Sequence, residues 1–296
     1  MKYAYPKFSK FDLLLFRILG PGLGNLLFPW ARAKVFAKKN NTSFIFPTWP
    51  QLKLGPVLRN ELDKRFYFGL FKPNKNDVFG IKKAYVLLTK KNVDEKDSKL
   101  SKEGNVIVFS GMKGMFSELI GYSDYLRNEL LSGLLVNRIS DLEKKYKCKE
   151  SVAVHIRMGD FRVAKIDEIV SGANNVRLPM SWYISLINEI RNMLGKQLQI
   201  NLFSDALDSE LSEILSIPGI CRISDNSAIE DMILMSQHKI LVASASTFSM
   251  WASFLGQVPT IWYKGQLKQR LLSSDAMEIE VECGDEIPNS FFENLK

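Results

Sequence analysis

Short apolar runs alternate with longer segments of helical period along most of the chain. Residues 12–19 are apolar almost without break, and Pro21-Gly22-Leu23-Gly24 follows as a tight turn. That pattern predicts a buried strand, then an amphipathic helix to about residue 39, with Asn25 as its N-cap. Pro29 is expected in the first turn of this helix, where a missing N–H costs little. Residues 43–46 resemble a second strand. From 47 to 103 no period holds: the stretch is aromatic-rich, then charged from Lys90 to Lys102, and predicts loops and short elements. Residues 106–109 read as a strand and 117–146 as mostly helix.

The second half is more regular. Strands are predicted at 151–157, 198–203, 239–243 and, last, 258–262; helices at 179–194, 207–215, 227–237 and 247–255. Ser227 and Glu230 have the spacing of a capping box. Strands alternating with helices imply an α/β fold with parallel sheets covered on both faces. The Lys-rich stretch Lys144 to Lys149 suggests a boundary, giving an N-terminal domain 1–148 and a C-terminal domain 149–296.

Composition narrows the chemistry. At 296 residues with 46% hydrophobic content, the chain can bury a real core. Cys148, Cys221 and Cys283 are widely spaced with no Cys-x-x-Cys pair, which argues against a disulfide framework or a zinc site. His155 and His238 are the only histidines, so no multi-His metal centre is expected. Lys2, Lys7 and Lys10 ahead of the apolar run 13–19 superficially resemble a signal sequence. Arg17 interrupts that run, which is also far short of the ~20 residues of a spanning helix. The expected location is therefore cytoplasmic, or peripheral on the inner membrane.

The net charge of +8 is unevenly spread: residues 1–100 hold 20 Lys and Arg against 7 Asp and Glu, the remainder 20 against 25. A basic half either attracts an anionic membrane surface or simply keeps the protein solvated. The aromatic-and-basic interleaving of single-strand readers is missing, so no nucleic-acid partner is expected.

Three polar clusters follow predicted strands: His155-Ile156-Arg157-Met158-Gly159-Asp160, Ser204-Asp205, and Ser244 to Ser249. In a parallel sheet, ligands bind beyond the carboxyl ends of the strands, so folding should bring these clusters to one rim. Arg157 offers a rigid, permanently charged fork suited to a diphosphate. Gly159 lets the backbone pass close to a ligand. Asp160 could orient Arg157, cap the turn or accept a proton; a buried ion pair closing the strand is the plainer reading. Asp205 could accept donors from a guanine edge or a ribose hydroxyl, or sit in the cap of the next helix. Ser246 and Thr247 open a helix whose free N–H groups suit an anion, or serve as ordinary caps. His238 falls at a helix end and reads as a cap. Gly22-Leu23-Gly24-Asn25 matches the dinucleotide fingerprint only in part.

Together, Gly22-Leu23-Gly24-Asn25, Val154 to Asp160, Phe203-Ser204-Asp205, Asp231 to Ser236 and Ser246 to Trp251 resemble the bacterial α-1,2-fucosyltransferases of glycosyltransferase family 11. The resemblance spans about residues 14–262, with 47–105 poorly matched. It implies a GT-B-like architecture, two Rossmann-like domains facing across a cleft. It also implies inverting, metal-independent transfer of fucose from GDP-β-L-fucose to a galactoside hydroxyl, with no cofactor. The acceptor would be a galactose-containing glycan or lipid-linked oligosaccharide of surface polysaccharide or O-antigen synthesis. By resemblance, Arg157 binds the β-phosphate and is catalytic with Asp160. His155 and Asp205 hold the guanosine, Ser246 and Thr247 donate to the phosphates, and Gly24 and Asn25 serve the donor sugar or acceptor. The chain departs from the family pattern at Met158, Leu26 and Met250, where the family has Arg, Gln and Trp. Another GDP-sugar donor, or a catalytically silent basic binding protein, are the alternatives.

Overall fold

The structure, a computed structural model, describes residues 2–53, 55–58, 66–100, 102–134, 136–272, 274 and 277–295. It divides into two compact units, 1–136 and 137–296. The division falls earlier than the 148/149 boundary expected from the lysine-rich stretch, so the helix over 136–145 belongs with the second unit.

In the first unit, strands β1 (Tyr3–Pro6), β4 (Ser43–Phe44), β6 (Asn92–Asp94) and β7 (Val106–Phe109) form one parallel sheet in the order β4-β1-β7-β6. Helix α1 (Leu23–Asn40) packs on it, burying Leu26, Leu27, Trp30 and Val35. Two cations on α1 are also buried, and each is paired, as a charge removed from water must be. Arg32 Nε donates to Glu95 Oε2 at 2.9 Å, and Lys34 Nζ lies 3.0 Å from Asp77 Oδ1. The short helices α2 (Gly55–Leu58), α3 (Gly80–Thr89) and α4 (Ser123–Ser132) complete the unit. Loops and short elements occupy the described part of 47–103; residues 54, 59–65 and 101 of that stretch and its flank lie outside the described residues.

Three local expectations are corrected here. Residues 12–19 are not one buried strand. They form a loop between the two-residue strands β2 (Phe11–Asp12) and β3 (Arg17–Ile18), which pair antiparallel, with β5 (Gln51–Leu52) alongside β3. Arg17 turns inward instead, donating to the carbonyls of Thr48 and Leu19 at 3.1 Å each. Leu14 and Leu19, with φ of 71° and 62°, break the extended backbone, and Leu13, Leu15 and Leu19 end exposed. The N-cap of α1 is Gly22 rather than Asn25, which lies inside the first turn. Pro29 therefore sits in the helix interior, where it withholds the N–H that would bond to the Asn25 carbonyl.

The second unit is built on β8 (Val152–Ile156), β9 (Ile200–Ser204), β10 (Ile220–Arg222), β11 (Ile240–Val242), β12 (Thr260–Tyr263) and β13 (Glu278–Val281). All pair parallel in the order β10-β9-β8-β11-β12-β13. Counted within the unit this is 3-2-1-4-5-6, the doubly wound order, and its switch point lies between β8 and β11. Helices α5 (Val136–Lys145), α6 (Ile166–Val170), α7 (Met180–Leu194), α8 (Ser212–Leu215), α9 (Ala228–Met235), α10 (Thr247–Gly256) and α11 (Asn289–Glu293) accompany it. The strand period separates the faces. Val152, Val154 and Ile156 join Trp182, Leu186 and Ile190 of α7 in one core, while His155 points the other way, toward α10. Ser227 and Glu230 form the predicted capping box of α9.

Candidate functional site

Two loops meet the requirements of the switch point: residues 157–162 after β8, and 243–246 after β11. The first is shaped around Arg157. Its Nη2 donates to Asp160 Oδ1 at 2.5 Å, and its Nη1 stands 2.7 Å from Asp205 Oδ2, at the end of β9. That second contact is an ion pair without hydrogen-bond alignment, and Oδ2 accepts no other bond. Asp205 Oδ1 accepts the Met158 amide at 2.9 Å. One carboxylate thus holds both the guanidinium and the backbone beside it. Gly159 makes room for this: a Cβ there would overlap Asp205 Oδ2 and stand 3.2 Å from its Cγ.

Arg177 braces this loop from outside it, a contact that sequence reasoning missed. Its Nε donates to the Met158 carbonyl at 3.2 Å and the Phe161 carbonyl at 2.8 Å, and residues 162 and 175–177 exchange backbone bonds. Nothing in its spacing marks it, because its partners, two main-chain carbonyls and the Glu210 carboxylate, are brought near only by folding.

The second loop is a rail of hydroxyls. Ser246 caps α10, its Oγ accepting the Ser249 amide at 3.3 Å, and Thr247 is the first helical residue. Ser249 Oγ accepts the Ser244 amide at 3.0 Å, and Ser244 Oγ lies 2.8 Å from Ser246 Oγ. The His155 ring closes the network, Nδ1 lying 2.7 Å from Ser249 Oγ and 2.9 Å from Ser244 Oγ. His155 is 5% exposed, and burial, with the Arg157 charge nearby, pushes its pKa down to about 3. The imidazole is therefore neutral at ordinary pH. It links the end of β8 to the mouth of α10 by hydrogen bonds rather than by charge.

His155, Arg157, Asp160, Asp205, Ser246 and Thr247 are thus gathered on the carboxyl ends of β8, β9 and β11. Gly24 and Asn25 lie in the first turn of α1 in the other unit, Gly24 buried and Asn25 half-buried. His238 caps α9 as expected: Nδ1 bonds to the Leu234 carbonyl at 2.8 Å, Nε2 to Asn201 Nδ2 at 2.9 Å, and burial lowers its pKa to about 4. With Asn201 as donor to Nε2, the proton is assigned to Nδ1.

The chain is 30% identical over 152 residues to the O-antigen biosynthesis glycosyltransferase WbnK of Escherichia coli, a match covering 46% of this chain and 48% of that one. It thus spans about half the length of the curated relative it matches. Among solved structures, POFUT1 in complex with GDP has a TM-score of 0.50 at 14% identity, covering 88% of this chain and 97% of that chain. Fucosyltransferase NodZ from Bradyrhizobium has a TM-score of 0.49 at 14% identity, covering 89% and 96%. The architecture is α/β and GT-B-like. The sequence model of glycosyl transferase family 11 matches residues 83–266, more than half of the chain, which belongs to that family.

Proposed function

We propose that this protein is an inverting glycosyltransferase that moves fucose from GDP-β-L-fucose to a galactoside hydroxyl, forming an α-1,2 linkage in O-antigen or related surface polysaccharide. The observation that carries the reading is the switch point itself. A permanent cation at the end of β8 and a helix N-terminus at the end of β11 stand on adjacent strands, a pairing suited to a diphosphate. GDP, the nucleotide bound by POFUT1, fits this donor end. The name of WbnK supports the polysaccharide setting.

In the proposed reaction the acceptor hydroxyl attacks C1 of the fucosyl group as the C1–O bond to GDP breaks, its proton passing to a carboxylate, for which Asp160 is the candidate, and the anomeric centre inverts. The leaving diphosphate gains negative charge as that bond stretches. Interactions that strengthen at that moment accelerate the step. Arg157 and the amides opening α10 at Thr247 supply them, with the Ser246 and Thr247 hydroxyls as further donors. Asp160 orients Arg157. Asp205 fixes the loop on which Arg157 rides, and His155 fixes the serine rail, so both shape the guanosine end of the site. Gly24 and Asn25 are assigned to the sugar or acceptor side. Charge neutralisation by side chains and helix amides requires no metal, so turnover should survive EDTA.

The test is incubation with GDP-fucose or GDP-mannose and a panel of galactosides, reading nucleotide release and product linkage. GDP-fucose turnover giving an α-1,2-linked product supports the reading. Turnover of GDP-mannose alone would replace the donor, and no turnover of either would leave a binding protein.

A further inference from the structure

Helix α3 presents the wrong face to water. It buries Lys83 and Val86, while Ile81, Tyr85 and Leu88 are 90%, 61% and 78% exposed. These three are spaced i, i+4 and i+7 and so form one stripe. Lys83 explains the orientation: its ammonium donates to Thr48 Oγ1 at 2.7 Å and reaches the Leu14 carbonyl at 3.5 Å. Thr48 Oγ1 in turn donates to Asp12 Oδ1 at 2.7 Å. The same buried network therefore holds segment 11–19 beside α3. On that segment Phe11, Leu13, Leu15 and Leu19 are all more than half exposed. Single exposed apolar side chains are ordinary, but a helical stripe adjoining an apolar loop marks a docking surface.

Along α3 and its immediate flanks the charge is of one sign. Residues 78–93 contain Lys82, Lys83, Lys90 and Lys91 and no acid. Lys82, Lys90 and Lys91 are exposed, as are Lys7 and Lys10 ahead of the loop. The one acid of segment 11–19, Asp12, is bonded to Tyr5 and Thr48. Apolar side chains rimmed by lysines complement an anionic bilayer, where the first enter the interface and the second meet headgroups. A second copy of the chain fits worse, because it would set lysines against lysines.

We propose that α3 and segment 11–19 dock the first unit on an anionic phospholipid surface. Ile81, Leu88, Leu13 and Leu15 enter the interface, and Lys82, Lys90, Lys7 and Lys10 face the headgroups. The inference does not depend on the reaction proposed above, and its test contains no nucleotide.

The full chain is sedimented with vesicles of phosphatidylcholine alone or mixed equally with phosphatidylglycerol, at low and high salt. The protein should pellet with the anionic vesicles only, and high salt should release it. Ile81→Ser with Leu88→Ser should lower partitioning by about tenfold or more, since both lose apolar burial. Lys82→Glu with Lys90→Glu should lower it by about tenfold at low salt. Both pairs are at exposed positions and should leave the thermal midpoint unchanged. If the apolar pair disturbs folding, the lysine pair decides alone. Wild-type protein left in the supernatant with anionic vesicles would overturn the proposal, as would well-folded variants that bind like wild type. So would a dimer in sedimentation velocity that Ile81→Ser with Leu88→Ser abolishes.

Discussion

Gly159→Ala adds one methyl group, and the structure says where it goes. The backbone at 159 is outside the left-handed region, so alanine is conformationally acceptable there and any cost is steric. The new Cβ would overlap Asp205 Oδ2, with Cγ at 3.2 Å. The carboxylate can yield only by loosening its bond from the Met158 amide at 2.9 Å and its contact with Arg157 at 2.7 Å. A hydrogen bond to a charged group is worth about 1.5–3 kcal/mol, and overpacking costs about 1–3 kcal/mol. The ion pair is partly open to solvent, so its share is small. A net loss of about 2–3 kcal/mol corresponds to roughly 5–10 °C in Tm for a unit of this size. Turnover should fall by about 10²-fold, the usual cost of misplacing a catalytic group by about 1 Å. The decisive assay is a double-mutant cycle. Asp205→Ala removes the obstacle, so the pair Gly159→Ala/Asp205→Ala should be no less stable than Asp205→Ala alone. Additive losses, or a single variant with unchanged Tm and turnover, would refute the contact as the reason for glycine at 159.

Arg157→Ala should lower kcat by about 10²–10³-fold in a nucleotide-release assay, as for other removed charge stabilisers; near-normal turnover rules out its role. Asp160→Asn separates orientation from base catalysis. If Asp160 only orients Arg157, kcat should fall less than about tenfold while GDP affinity, read by calorimetry, holds or rises; loss of a general base would cost about 10²–10⁴-fold. Ser249→Ala should lower Tm, because the buried Ser244 amide loses its acceptor at a cost of about 1–3 kcal/mol; an unchanged melt would show that the rail is dispensable. Stability should also fall with pH. His155 and His238 take up protons when unfolded below about pH 6.5 but when folded only near 3 and 4. Each therefore contributes stability that is present near neutrality and declines from about pH 6.5 downward, by about 2 kcal/mol at pH 5. Melts of wild type and His238→Gln across this range should show a shallower loss in the variant; identical slopes would contradict the assignment.

Much of the second unit was legible in its sequence for one reason. Strands β8, β9 and β11 are buried on both faces and therefore read as continuous apolar runs, and the carboxyl ends of such strands are where polar clusters gather. The order of the sheet was not legible, since register and neighbours are tertiary. Strands β1, β10 and β13 escaped notice because none is a continuous apolar run: Pro6 closes β1, Arg222 ends β10, and β13 opens on Glu278. That glutamate is buried only because the Leu271 amide and the Trp262 indole donate to it. The error at residues 12–19 has the opposite cause. Apolar content suggested burial, but Arg17 took the interior place, Asp12 was held half-buried by Thr48, and Leu13, Leu15 and Leu19 were left outside. In the site, Arg157 and the serines announced themselves by type and position. Arg177 did not, and the commitment of His155 to Ser244 and Ser249 arises only in the folded protein.

A crystal structure with GDP bound would test the central assignment most directly. The account predicts diphosphate oxygens at about 2.7–3.1 Å from the Arg157 guanidinium and from the amides that open α10. A diphosphate bound away from both, with Arg157 still clasped between Asp160 and Asp205, would contradict it.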